Sequence, residues 1–180
     1  MTQNTEDNKT DSTAKTMVVI AWVAALVFAT YLFQQVLDNR YNPNQELALI
    51  SGEAGVREVI LQRNRQGQYV ANGRINGQRV TFLLDTGATD VAIPEPLARR
   101  LGLSRGAGGF SQTANGTVAV WSTRLDSVQL GAVGLKDVQA SIVPSLKMGS
   151  TVLLGMSFLK KLEMVQRGGQ LTLRQGVVSG

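Results

Sequence analysis

An uninterrupted apolar segment constrains this chain of 180 residues more than any other feature of its sequence. Met17 to Phe33 carries no charged side chain. As an α-helix it is about 26 Å long, or about 31 Å if it continues through Leu37, which matches the roughly 30 Å hydrocarbon core of a bilayer. Trp22 and Tyr31 lie towards its ends, where amphipathic rings favour the interface. The segment predicts a transmembrane helix over residues 16–37.

A cleaved signal peptide is the alternative interpretation, because Val27-Phe28-Ala29 has the pattern of a small-residue cleavage site. The apolar run continues through Tyr31-Leu32-Phe33, which favours an uncleaved anchor that meets the membrane through residues 17–37. The long C-terminal region is translocated largely regardless of its charge. We therefore expect a single-pass protein of the inner (cytoplasmic) membrane, with a short cytoplasmic tail and an outside domain that is periplasmic in a Gram-negative source.

The composition removes several kinds of chemistry. The chain has no cysteine and no histidine, so it cannot form a disulfide, a Ser-His or Cys-His pair, or a Cys/His zinc site. We expect no metal and no cofactor, and catalysis would depend on carboxylates, hydroxyls, amines or backbone groups. The net charge is +5, but the basic residues are scattered and lack interleaved aromatic residues. This pattern indicates a solvated surface rather than a nucleic-acid site.

The rest of the chain falls into three segments that differ in the pattern of their polar and apolar residues. Residues 1–15 are polar and aperiodic and predict a disordered tail, and residues 38–56 read as a linker. From 57 to 176, short apolar runs alternate with turn signals, among them Asn76-Gly77, the strongest short hairpin signal. One or two short helices are expected, near Pro96–Gly102 and Met156–Leu162. Many short strands with few helices predict an all-β, barrel-like domain.

One acid stands out in that domain. Asp85 begins the run Asp85-Thr86-Gly87 directly after the apolar strand Val80–Leu84. A carboxylate at the end of a buried strand costs free energy unless hydrogen bonds satisfy it. Small residues at Gly87 and Ala88 let backbone amides approach the acid closely, and the Thr86 hydroxyl can brace the loop. The alternative is an aspartate that ends a strand and caps a turn, which is a common arrangement.

Three segments together resemble the retropepsin-like aspartic proteases, and in particular their bacterial, membrane-anchored, single-domain branch. Phe82 to Thr89 resembles the active-site loop, and Val152 to Leu159 contains Leu153-Leu154-Gly155, which is similar to the family's hydrophobic-hydrophobic-Gly element. Gln112 to Thr117 lies where the family has its flap hairpin.

The resemblance covers about residues 57–175 and implies a single-lobe acid protease barrel. It also implies three sets of site residues: catalytic Asp85; loop support from Thr86, Gly87, Ala88, Leu154 and Gly155; and flap or substrate contacts from Thr113, Ala114, Asn115 and Gly116. Retroviral relatives often carry a second acid directly after the loop, where this chain has Thr89 followed by Asp90.

The implied activity is aspartic endopeptidase action on protein or peptide substrates. It needs two carboxylates that share one proton, yet the chain contains a single Asp-Ser/Thr-Gly sequence. The second carboxylate is therefore expected from Asp85 of another subunit in a two-fold homodimer. The alternatives are a non-catalytic peptide-binding module on the same fold and an unrelated membrane-tethered β-domain. Asp85→Asn, tested for cleavage and dimerisation, separates them.

Overall fold

The structure is a computed structural model that describes residues 7–47, 50–51, 56–113 and 116–176. The chain divides into two compact units, Met1–Arg40 and Tyr41–Gly180. The first consists, in its described part, of one long helix. The second carries the β-structure and the predicted site.

The long helix, α1, spans Asp7–Tyr41. Over residues 15–41, whose side chains the structure describes, its apolar side chains are exposed, with Trp22 at 68% and Phe28 at 63%. Within the described residues, Lys15–Tyr41 is long and apolar enough to cross a membrane, a test that a signal sequence also passes.

The helix is longer than the predicted span of 16–37. Residues 7–15, predicted as part of a disordered tail, are helical, and the helix also continues past Leu37 to Tyr41. Nucleation is the costly step of helix formation, and each further residue then adds a hydrogen bond. The apolar segment can therefore extend its helix into polar flanks that would not nucleate one alone.

The described part of the second unit contains eleven strands and two short helices. The strands are β1 (Ile50–Ser51), β2 (Arg57–Gln62), β3 (Val70–Ile75), β4 (Gln78–Leu84), β5 (Val91–Pro94), β6 (Gly108–Thr113), β7 (Gly116–Leu130), β8 (Val133–Val143), β9 (Thr151–Leu154), β10 (Glu163–Arg167) and β11 (Gln170–Gln175). The helices are α2 (Glu95–Arg100) and α3 (Met156–Leu159).

Six of these strands close into a barrel in the order β3-β4-β9-β5-β8-β7, and β3 pairs with β7 to complete the ring. A Cβ at Gly73 would lie 2.4 Å from the carbonyl oxygen of Gln129 and 2.6 Å from the Phe82 ring, so this close approach needs glycine. Strand β6 extends from β7 as a hairpin arm, and a second sheet has the order β1-β2-β11-β10. The predicted all-β barrel is confirmed, with two short helices where one or two were expected and an apolar helix before it.

The core is apolar, and its large, fully buried side chains come from the barrel strands and from α3; they include Ile75, Phe82, Ile93, Leu125, Leu130, Ile142, Leu154, Phe158 and Leu159. The predicted hairpin at Asn76-Gly77 is confirmed, since both residues have positive φ (48° and 78°) and β3 pairs antiparallel with β4. Helix α3 is shorter than the predicted 156–162. Glu163 begins β10, which pairs with β11, so the chain must become extended soon after Leu159.

Part of the predicted linker is fixed to the barrel domain. Asn44 is 4% exposed. Its side-chain amide donates to the carbonyls of Gln62 (2.9 Å) and Val70 (2.7 Å), and its Oδ1 accepts from the Gln62 N–H (2.6 Å). The backbone of Asn44 forms a parallel bridge with Ala71. Residues 48–49 and 52–55 of the predicted linker lie outside the described residues.

Asn44→Ala is expected to destabilise the domain by about 2 to 3 kcal/mol, because the Gln62 N–H and the Val70 carbonyl lose a partner in a place that water reaches poorly. Chemical denaturation of the full chain in detergent measures this change. Gln78→Ala, which truncates an exposed amide on β4, is the matched control and should shift stability by less than about 0.5 kcal/mol. If the two variants unfolded at the same denaturant concentration, Asn44 would have no structural role.

Candidate active site

The loop that carries Asp85 leaves the barrel at the end of β4. The Asp85 N–H donates to the carbonyl of Leu154 (3.2 Å), and the Ala88 N–H donates to the carbonyl of Asp85 (3.2 Å). The Gly87 N–H donates to the carboxylate oxygen Oδ1 of Asp85 (2.9 Å). The acid sits half-buried in a tight turn, and this hydrogen bond from a backbone amide holds one of its two oxygens.

A second segment, residues 154–157, holds this loop in place. Strands β4 and β9 run parallel with Leu84 opposite Leu154, so both strands end at the same edge. Beyond that edge the Met156 N–H donates to the Ala88 carbonyl (2.8 Å) and the Ser157 N–H to the Thr89 carbonyl (2.8 Å). The loop is thus fixed through its backbone by a segment about seventy residues away in sequence.

Gly155 lies at the centre of this contact. A Cβ at this position would lie 2.2 Å from the carbonyl oxygen of Asp90 and 2.6 Å from that of Ala88. Real Cβ atoms do not approach so closely, and both obstacles are backbone atoms. Any larger residue must therefore displace the loop that carries Asp85.

The predicted loop residues differ in their surroundings. Thr86 and Gly87 are exposed, and Ala88 is half-buried. The Thr86 hydroxyl, which sequence analysis expected to brace the loop, forms no hydrogen bond within the part of this single chain that the structure describes. The bracing comes from backbone groups of residues 154–157 instead.

Sequence analysis did not identify Ser157, which links the far side of the loop to the barrel. Its hydroxyl accepts a hydrogen bond from the Val91 N–H (3.0 Å) and donates to the Gln139 carbonyl (2.8 Å). Asp90 is also linked to β8, because the Ser141 hydroxyl donates a hydrogen bond to its carboxylate oxygen Oδ2 (3.1 Å). No local pattern marks these two serines, because their partners are distant in sequence and are set by strand pairing.

The hairpin of β6 and β7 carries the predicted flap. Thr113 pairs with Gly116 at its tip, while Ala114 and Asn115 lie outside the described residues. Its base is anchored: the Arg105 guanidinium lies 4.3 Å from the centre of the Trp121 ring and forms an ion pair with Glu95 of α2. Phe110, on β6, is 82% exposed. The hairpin is therefore fixed at its base and presents an apolar side chain on its arm.

Two open clefts lie elsewhere on the domain. One, of about 410 Å³, is lined by residues of β5, α2 and the loop before β9, among them Pro94, Leu97 and Lys147. The other, of about 670 Å³, lies beside the flap base and includes Arg124, whose hydrogen bond to Asp137 lowers the pKa of that carboxyl. Neither cleft includes Asp85. Within the described residues, no group of three or more Asp or Glu side chains is placed to hold a metal ion.

The closed barrel, the hairpin arm and the Asp-Thr-Gly loop define the retropepsin-like aspartic protease fold. Residues 71–161 match the family described as "gag-polyprotein putative aspartyl protease", and the chain belongs to this family. A crystal structure of a retropepsin-like aspartic protease from Rickettsia conorii is similar in fold, with a TM-score of 0.54 and 27% identity. The match covers 67% of this chain and 92% of that one.

Two curated relatives carry no described activity. One, an uncharacterised protein in the cobV 5′ region of a Sinorhizobium species, is 32% identical over 130 residues, which are 70% of this chain and 55% of the relative. The other, an uncharacterised protein of Rickettsia prowazekii (strain Madrid E), is 30% identical over 111 residues, 60% of this chain and 47% of the relative. The chain spans about half the length of these relatives.

Proposed function

We propose that this chain is a membrane-anchored aspartic endopeptidase in which Asp85 is the catalytic carboxylate. The observation that carries the proposal is the Asp85 loop itself. Its acid is half-exposed at the end of a buried strand, with one oxygen held 2.9 Å from the Gly87 amide. The turn is held in place by the hydrogen bond from the Asp85 N–H to the Leu154 carbonyl and by the close packing of Gly155 against the loop backbone. Such a loop presents one carboxylate in a defined orientation with its second oxygen available for chemistry.

In this proposal, peptide hydrolysis uses two carboxylates that share one proton. The ionised carboxylate removes a proton from a water molecule, and the protonated carboxylate polarises the scissile carbonyl as the water oxygen attacks it. The carbon–nitrogen bond then breaks as the nitrogen takes the proton that the first carboxylate removed from water, and the two carboxylates again share one proton. Since the sequence holds one Asp-Thr-Gly, the second carboxylate comes from Asp85 of another copy in a two-fold dimer.

The other parts of the chain have supporting roles in this proposal. Residues 17–37 anchor the protein in the inner membrane, with residues 57–176 as the protease domain on the outer side. The hairpin tip, Thr113 to Gly116, closes over a bound peptide, and the exposed Phe110 offers apolar contact on the same arm. Confinement to the membrane raises the effective concentration of subunits for one another, which favours the dimer.

The proposal predicts that activity depends on protein concentration. Purified full chain in detergent, tested on a peptide library, should cleave peptides with a specific activity that rises with concentration until the dimer is saturated, because a lone subunit has half a dyad. The measurement is initial cleavage rate against concentration, with sedimentation of the same samples. Constant specific activity from a protein that sediments as a monomer would contradict the shared dyad, and binding without cleavage would favour a peptide-binding module.

A further inference from the structure

The second sheet, in the order β1-β2-β11-β10, ends in an open edge at β10. Strand β10 joins β11 through a two-residue turn at 168–169, whose glycines both have positive φ (54° and 86°). Such a turn is closed by two residues that are hydrogen-bonded to each other, here Arg167 and Gln170. Alternation along the strand then directs the backbone N–H and C=O groups of Met164 and Gln166 away from β11, towards the open edge.

These outward backbone groups are available to another strand. Within the described residues, those of Met164 and Gln166 have no backbone partner, and unpaired edge groups are a template for strand addition. Strand β1, at the other end of the sheet, is two residues long. Strand β6 also has an open edge, but it carries no charged side chain that could select a partner. Strand β10 carries one at each end, Glu163 and Arg167.

The sequence of β10 is complementary to itself when a second copy runs antiparallel. With a two-fold axis at Val165, all five residues of β10 pair, and each end places Glu163 of one copy opposite Arg167 of the other. Opposite charges across a strand pair stabilise it, and like charges destabilise it. The pairing also continues an alternation of charge, because Glu163 lies opposite Arg174, whose guanidinium donates to Glu58 (2.6 Å).

The other face of the sheet gives the same indication. Met164 lies opposite Leu173, which pairs in turn with Val59. Leu173 and Val59 are 0% and 1% exposed, whereas Met164, at the end of this row, is 39% exposed. A second copy would place Gln166 opposite Met164, followed by the buried Leu171. The apolar row would then be covered at the sheet edge instead of ending in solvent.

We propose that the active dimer forms at this edge: β10 of a second copy adds antiparallel to β10, about an axis at Val165, and joins the two sheets into one. Each of the two pairs of Met164 with Gln166 exchanges two backbone hydrogen bonds, and Glu163 and Arg167 fix the register from both ends. This inference rests on the proposed function, in which the site is incomplete without Asp85 of a second copy.

Disulfide cross-linking tests the axis. The chain has no cysteine, so one introduced thiol reports on one position. In the proposed pairing the two Val165 residues are directly opposite in a non-hydrogen-bonded pair, with Cα atoms about 4.5 Å apart, which a disulfide can span. Full-chain Val165→Cys in detergent should become mostly covalent dimer under mild oxidation. Thr172→Cys is the matched control, one strand further in on the same face, where the two thiols would be about 14 Å apart.

Charge reversal tests the register. In the Val165→Cys background, Arg167→Glu or Glu163→Arg alone should slow cross-linking at least about tenfold, because like charges then face each other at both ends. An equimolar mixture of these two variants should cross-link at about the rate of Val165→Cys alone, since each end of the mixed pair again has opposite charges. The same rescue shows that both variants are folded. Arg79→Glu, at an exposed position on β4, is the matched control and should leave the rate unchanged.

Peptide cleavage shows whether this is the active dimer. The oxidised Val165→Cys dimer should cleave library peptides with a specific activity that no longer depends on concentration, since the two copies stay together. Cross-linking no better than that of Thr172→Cys, rates that charge reversal leaves unchanged, or a covalent dimer that is inactive while wild type cleaves would each overturn the inference and leave the proposed function standing. If cross-linking follows the prediction but wild type cleaves no peptide, the proposed function fails and the β10 interface stands.

Discussion

Asp85→Asn is expected to lower kcat/KM for peptide cleavage by between about 10² and 10⁴, the range that removal of a general acid–base typically costs. Asparagine has the same shape as aspartate, and its Oδ1 can still accept the 2.9 Å hydrogen bond from Gly87. The loop should therefore keep its conformation while the group loses its ability to accept a proton from water. Thermal unfolding of the variant should match that of wild type within a few degrees.

Asp126→Asn is the matched control, because it makes the same chemical change at an exposed carboxylate on β7. It should leave cleavage unchanged. Full activity of Asp85→Asn would exclude Asp85 as the catalytic acid.

Mixing provides a second measurement on the same variant. If an equal amount of Asp85→Asn protein is added to wild type and subunits pair at random above the dissociation constant of the dimer, cleavage should fall to about half, since only pairs with two Asp85 residues are active. Subunits that act alone would show no loss.

Gly155→Ala is expected to destabilise the protease domain by about 3 kcal/mol or more. The added Cβ would lie 2.2 Å from one backbone carbonyl oxygen and 2.6 Å from another, and neither can rotate away as a flexible side chain would. The segment from Ala88 to Asp90 must shift, which also displaces Asp85 and should lower cleavage. Chemical denaturation of the full chain and peptide cleavage measure the two effects.

Gly109→Ala is the matched control for this prediction. Gly109 lies on β6, its φ is not in the left-handed region, and an added Cβ there would meet no atom within 4 Å. The change in stability should stay within about 0.5 kcal/mol. If Gly155→Ala were as stable and as active as Gly109→Ala, the close contact between Gly155 and the Asp85 loop would not determine the geometry of the site.

Local signals account for what sequence analysis predicted well. The strand β4, the hairpin at Asn76-Gly77 and the short helix α2 each follow from side-chain alternation or turn chemistry within about ten residues. Asp85 stays a candidate that sequence analysis singled out, because its Asp-Thr-Gly run follows an apolar strand and occurs together with Leu153-Leu154-Gly155 in a set that resembles the retropepsin-like family. The fold class followed from the number and spacing of such strands.

The features that sequence analysis did not predict have a common cause, which is that they depend on contacts between residues distant in sequence. The connection at residues 41–44 looks like a linker, because Tyr41-Asn42-Pro43-Asn44 has no apolar periodicity, yet Asn44 is buried and bonds to residues 18 and 26 positions away. Ser157 gave no signal for the same reason, since it contacts Val91 across 66 positions. The composition of a segment does not report which distant backbone groups will need a partner.

The sequence by itself therefore determined the strands, the apolar helix and the identity of the one acid in an Asp-Thr-Gly run, because these depend on side-chain chemistry and short-range periodicity. Only the tertiary structure decided how the Asp85 loop is held and why position 155 must be glycine. These depend on barrel closure and parallel pairing, which bring residues sixty to seventy positions apart within hydrogen-bonding distance.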